Sequence, residues 1–146
     1  MQKEREIKKG DVWQEIKAPH RIIEVETDPD ENGFFECTID GLYNTCTAKI
    51  IRERCVKRHV LKTKPEYFEA AATFEKRFEI RKNDRDFRKS DIVELTCYDP
   101  KATETIPFTL FSRISYILYG PFMDGLADGW CVFSLENVMS YRPVKR

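Results

Sequence analysis

Ten consecutive residues, Phe78-Glu79-Ile80-Arg81-Lys82-Asn83-Asp84-Arg85-Asp86-Phe87, carry the densest set of chemically useful side chains in the chain. In an extended segment residues two apart share a face, so Glu79 and Arg81 stand side by side while Phe78 and Ile80 are expected to enter a core. Asn83-Asp84 follows as a tight turn, because both types tolerate left-handed backbone angles. Lys76, at the end of an expected helix, can reach the same pocket. Arginine binds a phosphate bidentately or stacks on a base. From Lys76 to Lys89 seven cations face three carboxylates, enough to neutralise a few phosphates. Candidate ligand-binding residues are therefore Lys76, Glu79, Arg81, Lys82, Asn83 and Arg85, with Tyr98, Tyr116, Tyr119 and Trp130 as a stacking wall.

Positioning these residues requires a helix and several strands. Pro65 suits the first helical position, and Tyr67, Phe68, Ala71, Ala72 and Phe74 form an apolar stripe, so one amphipathic helix is expected from Pro65 to near Lys76. Strands are expected at Phe78 to Arg81, Ile92 to Tyr98, Ile106 to Ile117 and Trp130 to Leu135. Upstream, Val12-Trp13, Ile22 to Val25, Phe34 to Ile39 and Thr47 to Ile51 alternate with turn signals at Gly10-Asp11, Asp28 to Gly33 and Asp40-Gly41, as in a small β-barrel. The stretch Lys49 to Lys64 joins the two parts. It holds seven cations against Glu53 and no Gly or Ser run, implying a short structured join instead of a free tether. The boundaries expected are residues 1–57 for the first domain and 58–146 for the second.

Bulk properties narrow the classes. The 146 residues, 41% hydrophobic, support packed cores and argue against disorder. With 25 basic and 25 acidic residues there is no global field for gripping nucleic acid, so any such binding is local. Five cysteines without a CxxC pair indicate neither a disulfide framework nor a zinc site, and His20 and His59 stand isolated in the sequence. No metal or other cofactor is expected. An N-terminus without an apolar signal core, and the lack of any membrane-length apolar run, give the expectation of a cytoplasmic protein with reduced thiols and no membrane partner.

The stretches His59-Val60-Leu61-Lys62, Pro65-Glu66-Tyr67-Phe68-Glu69, Lys76 with the strand after it, Ser115-Tyr116-Ile117-Leu118 and Gly129 to Leu135 resemble the core motif of ASCH domains. They are more similar still to a phage-associated, ASCH-like family of unknown function in the PUA-like superfamily. The resemblance implies an α+β fold: an ASCH/PUA-like curled β-barrel with a packed helix, here preceded by a small all-β barrel that is SH3-like in phrasing. It implies a cleft between helix and barrel that binds RNA, a nucleotide or a modified base. Some members resemble amidohydrolases of acetylated cytidine, with a lysine as nucleophile or base assisted by a threonine and a glutamate. Lys76 matches the lysine, whereas Glu79 stands where those enzymes carry threonine, and the resemblance makes Lys76 and Glu79 the catalytic candidates if the protein is an enzyme. Two further departures are Phe74-Glu75-Lys76, where the family has a glycine before the lysine pair, and Ser90-Asp91, where it has Gly-Asp. The expectations are a nucleic-acid or nucleotide-binding module with an RNA or nucleotide ligand, an amidohydrolase of a modified nucleoside, or a phage protein that binds and inhibits a host defence protein as its partner.

Overall fold

The computed structural model describes residues 3–99, 101, 109–122 and 124–141, the last five by backbone alone. Among these residues the protein is mostly mixed β-sheet with two short helices, an α+β fold, and it divides into two compact units, 1–58 and 59–146.

In the first unit four strands run as an antiparallel meander: β1 (Val12–Glu15), β2 (Ile22–Val25), β3 (Phe34–Ile39) and β4 (Leu42–Thr47). The opening residues of β5 (Cys55–Thr63) return to pair with β1, Trp13 opposite Lys57. Alternation drives this arrangement, since Ile23, Val25, Phe35 and Cys37 point inward to pack with Trp13 and Ile51. Of Thr47 to Ile51, expected as a strand, only Thr47 lies in one, as the end of β4; Ala48 to Ile51 instead open helix α1 (Ala48–Arg54). The Thr47 hydroxyl accepts from the Ile50 amide at 3.4 Å, capping the helix, and Ala48 and Ile51, three apart, bury one face. The basic stretch 49–64 is therefore α1 followed by β5, and part of its charge is committed: Arg52 pairs with Glu4 at 3.2 Å and Lys57 with Asp11 at 3.4 Å.

In the second unit the strand order is β5, β7 (Ile92–Cys97), β8 (Thr109–Tyr119), β9 (Trp130–Tyr141), β6 (Phe78–Lys82). Pairs from β7 to β6 are antiparallel. The Tyr98 amide donates to Thr63 O at 2.7 Å and the Thr96 hydroxyl to Leu61 O at 3.3 Å, a constant offset that makes β5 and β7 parallel. Parallel neighbours need a crossover, and helix α2 (Pro65–Ala72) opens it. Pro65 sits in its first turn, and Phe68 and Ala71 pack on Leu61, Phe87, Leu95, Ile114 and Phe133. The expected strand starting at Ile106 is described from Thr109; residues 106–108 lie outside the described residues.

The helix expected to reach Lys76 stops at Ala72. Phe74 adopts φ 62°, and Ser90 φ 78°, so both stretches where the resembled family carries glycine hold a left-handed backbone on a non-glycine residue.

Candidate functional site

β5 and β6 are the two edge strands of the second unit, yet side chains tie them together, which curls the sheet. The Arg81 guanidinium donates both terminal nitrogens to Lys62 O at 3.2 Å, and Arg85 donates to Val60 O at 2.5 Å. Beside this seam lies a cavity of about 740 Å³ lined by Leu61 to Lys64 on β5 and its end, Phe78 to Lys82 on β6, and Tyr67, Lys76, Asp84, Arg85, Phe87 and Trp130. Consecutive residues of both strands line it, the pattern of a cavity alongside a strand edge.

Part of the main chain of β6 is open to a ligand, although Phe78 O is taken by Lys76 Nζ. Leu135 N donates to Arg77 O and Asn83 N to Gly129 O, which fixes the odd-numbered β6 residues as the hydrogen-bonded partners of β9. The N–H and C=O of Ile80 therefore point away from β9, on the side of the strand that borders the cavity.

Glu79 is the centre of the polar wall. It is 4% exposed; its Oε1 accepts from Lys76 Nζ at 2.6 Å and its Oε2 from Arg81 Nε at 3.0 Å. Lys76 Nζ also donates to Phe78 O at 2.6 Å and stands 5.2 Å and 5.8 Å from the ring centroids of Phe78 and Tyr67. The expected facing of this strand is thus reversed. Phe78 and Ile80 are about half exposed, at 48% and 53%, because β6 is an edge strand whose inward face is taken by the Glu79–Lys76–Arg81 cluster.

A loop built around Gly120 places Trp130. A Cβ at Gly120 would lie 2.0 Å from Ala127 O, so only glycine fits, and Gly120 N donates to Trp130 O at 2.9 Å. Trp130 is 39% exposed on the cavity wall. Among the lining residues are six cations, Lys62, Lys64, Lys76, Arg81, Lys82 and Arg85, against Glu79 and Asp84. A site with aromatic faces, excess positive charge and an open strand edge can hold a planar anion.

Of the residues singled out by sequence, Lys76, Glu79, Arg81, Lys82, Arg85 and Trp130 come together around the cavity. Asn83, Tyr98, Tyr116 and Tyr119 do not line it, the Tyr119 hydroxyl donating to Phe87 O at 2.6 Å. Asn83 Oδ1 accepts from Phe87 N at 2.9 Å and so builds the turn; Tyr98 lies under Lys62 Nζ at 5.1 Å; Tyr116 is exposed on β8. Sequence reasoning missed Lys62, Lys64, Tyr67 and Phe78 as cavity residues. Charge density in the join hinted at the lysines, whereas Tyr67 and Phe78 read as core. It also took His59 as isolated. His59 is buried, its Nε2 2.8 Å from Asp91 Oδ2, and its ring lies 4.6 Å from that of Phe87. Asp91 Oδ2 also accepts from Arg88 N at 3.0 Å, so this pair supports the wall behind Phe87. No signal in the spacing joins two residues 32 apart.

Among the described residues no group of three or more His, Cys, Asp or Glu side chains is arranged to hold a metal ion, and no helix is long and apolar enough to cross a membrane. No curated protein matches the chain. Residues 58–135, more than half of the chain and including every residue that lines the cavity, match the model of a family described as a domain of unknown function (DUF3850), and the chain belongs to that family.

Proposed function

We propose that the second unit is an ASCH-related, PUA-like binding module whose cavity takes an unpaired nucleotide, free or within single-stranded RNA. The observation that carries this reading is the joining of an exposed indole, Trp130, to a cationic rim along an open strand edge. Stacking on an aromatic side chain contributes about 1–3 kcal/mol per base, and Lys82 and Arg85 stand where they can meet phosphate. Ile80 offers a donor and an acceptor side by side, which match the Watson–Crick edge of a base. In a duplex that edge is occupied, hence the preference for an unpaired base. For the first unit, the return of β5 to β1 supports the SH3-like small-barrel reading.

The test uses the two tryptophans. Trp13 is buried, so quenching of intrinsic fluorescence on titration with nucleoside monophosphates or a short single-stranded RNA reports on Trp130. Quenching that vanishes in Trp130→Phe, with affinity lowered in Lys82→Glu/Arg85→Glu and a shallower salt dependence, is expected. Absence of binding to every nucleotide and RNA, or affinity unchanged in the charge-reversed variant by filter binding, overturns the reading.

The contact between Lys76 Nζ and a buried carboxylate favours a second reading, hydrolysis of an amide on a modified nucleoside. Lys76 would act as nucleophile or base after losing a proton, with Glu79 holding it. Cytidine released from acetylated cytidine by the wild-type chain and absent with Lys76→Ala is the result this reading requires.

A further inference from the structure

The first unit lies almost wholly outside the family match and carries a feature of its own: the sulfurs of Cys37 and Cys46 are 3.2 Å apart across the β3–β4 pair. We propose that Cys46 and Cys37 form an oxidation site, in which a peroxide first oxidises Cys46 and Cys37 then closes an intramolecular disulfide. The two positions divide the work. Cys46 is partly exposed on β4, an edge strand with β3 as its neighbour on one side and solvent-facing residues Leu42 to Thr45 before it. Cys37 is fully buried in the core of the unit, so it meets no oxidant directly but lies against the sulfur that does. Burial, with the hydrogen bond to Cys46, pushes the Cys37 thiol up to about 12, in keeping with a group that stays a protonated thiol until the second step.

The chemistry balances. The Cys46 thiol takes one oxygen from hydrogen peroxide, giving sulfenic acid and water. Cys37 Sγ then attacks Cys46 Sγ, the S–O bond breaks, and hydroxide leaves with the Cys37 proton as a second water. Two thiols are oxidised and one peroxide is reduced. In the ladder Cys37 is opposite Asn44 and Cys46 opposite Phe35, so the bridge is diagonal. A disulfide needs a sulfur separation of about 2.05 Å, so the two sulfurs must close by roughly 1 Å, and β4, which has a strand on one side only among the described residues, is the element that can move. Cys55 is a competing partner: its thiol is raised to about 11 by burial, then by Glu15, and in part by Cys46.

The experiment treats the full chain with hydrogen peroxide and reads intact mass, free thiols and a peptide map. The expected result is loss of the mass of two hydrogens, loss of two of the five free thiols, and a Cys37–Cys46 cross-linked peptide that a reductant reverses. Cys46→Ser should abolish the cross-link. In Cys37→Ser, Cys46 should stop at sulfenic acid and be trapped by dimedone, while Cys97→Ser and Cys131→Ser should oxidise as wild type. A wild-type chain that is unreactive, that carries Cys46 on to sulfinic acid without a bridge, or that links Cys46 to Cys55 overturns the proposal.

Discussion

Replacing Glu79 by alanine tests whether the polar cluster holds the curled sheet together. Glu79 receives Lys76 at 2.6 Å and Arg81 at 3.0 Å, and its removal leaves two cations facing each other across an emptied site. Removing one partner of a buried pair costs about 3–5 kcal/mol when the remaining charge cannot reach water. Here the Lys76 and Arg81 side chains are 17% and 25% exposed and keep their bonds to Phe78 O and Lys62 O, so part of that cost is recovered by hydration. The expected loss is about 2–3 kcal/mol, a large fraction of the stability of an ordinary domain. Glu79→Gln keeps the volume and one acceptor but turns its amide donors toward a cation, so a loss of about 1–2 kcal/mol is expected. Urea titration read by circular dichroism measures both, with the slope unchanged if the effect is on the folded state. An alanine variant within about 0.5 kcal/mol of wild type would refute the reasoning, since ordinary surface substitutions fall in that range.

Two of the left-handed non-glycine residues make an opposite prediction. Phe74 (φ 62°) and Ser90 (φ 78°) bear the steric cost of that conformation, about 1–2 kcal/mol each, while glycine costs more unfolded-state entropy, so Phe74→Gly and Ser90→Gly should each stabilise the fold by a net of about 0.5–1 kcal/mol, read as a higher urea midpoint. Destabilisation by either would show that the side chain holds something the backbone argument omits. Alkaline pH should weaken the fold in a defined window. Burial is the main cause that raises Cys55 and Cys131 from 9.0 to about 11, so the folded state binds more protons than the unfolded one between these values. Their stabilising contribution is complete below pH 9.0 and is lost as pH rises through about 11; melting curves across that range should flatten in Cys55→Ala/Cys131→Ala relative to wild type, and an unchanged slope would remove the thiols as the cause.

What the sequence revealed follows from which forces act locally. Helix α2 was legible because Pro65 starts it and Phe68 and Ala71 repeat on its buried face, and β7, β8 and β9 because their inward residues alternate. α1 was misread because Ile50-Ile51 look like strand residues, and a seven-residue helix is too short for periodicity to outweigh β-branching; the Thr47 cap decides it. The facing of β6 was misread for a different reason. Apolar residues were assumed to point inward, but a sheet edge has an outer side, and a carboxylate with a cation on each oxygen can take the inner one. The same edge geometry explains why Lys76, Glu79, Arg81 and Arg85 could be picked out as a group while the cavity they border could not. Their proximity in sequence is a property of one strand and its turn, whereas Lys62 O and Val60 O, which Arg81 and Arg85 grip, come from a strand about twenty residues earlier, brought opposite by the parallel crossover through α2.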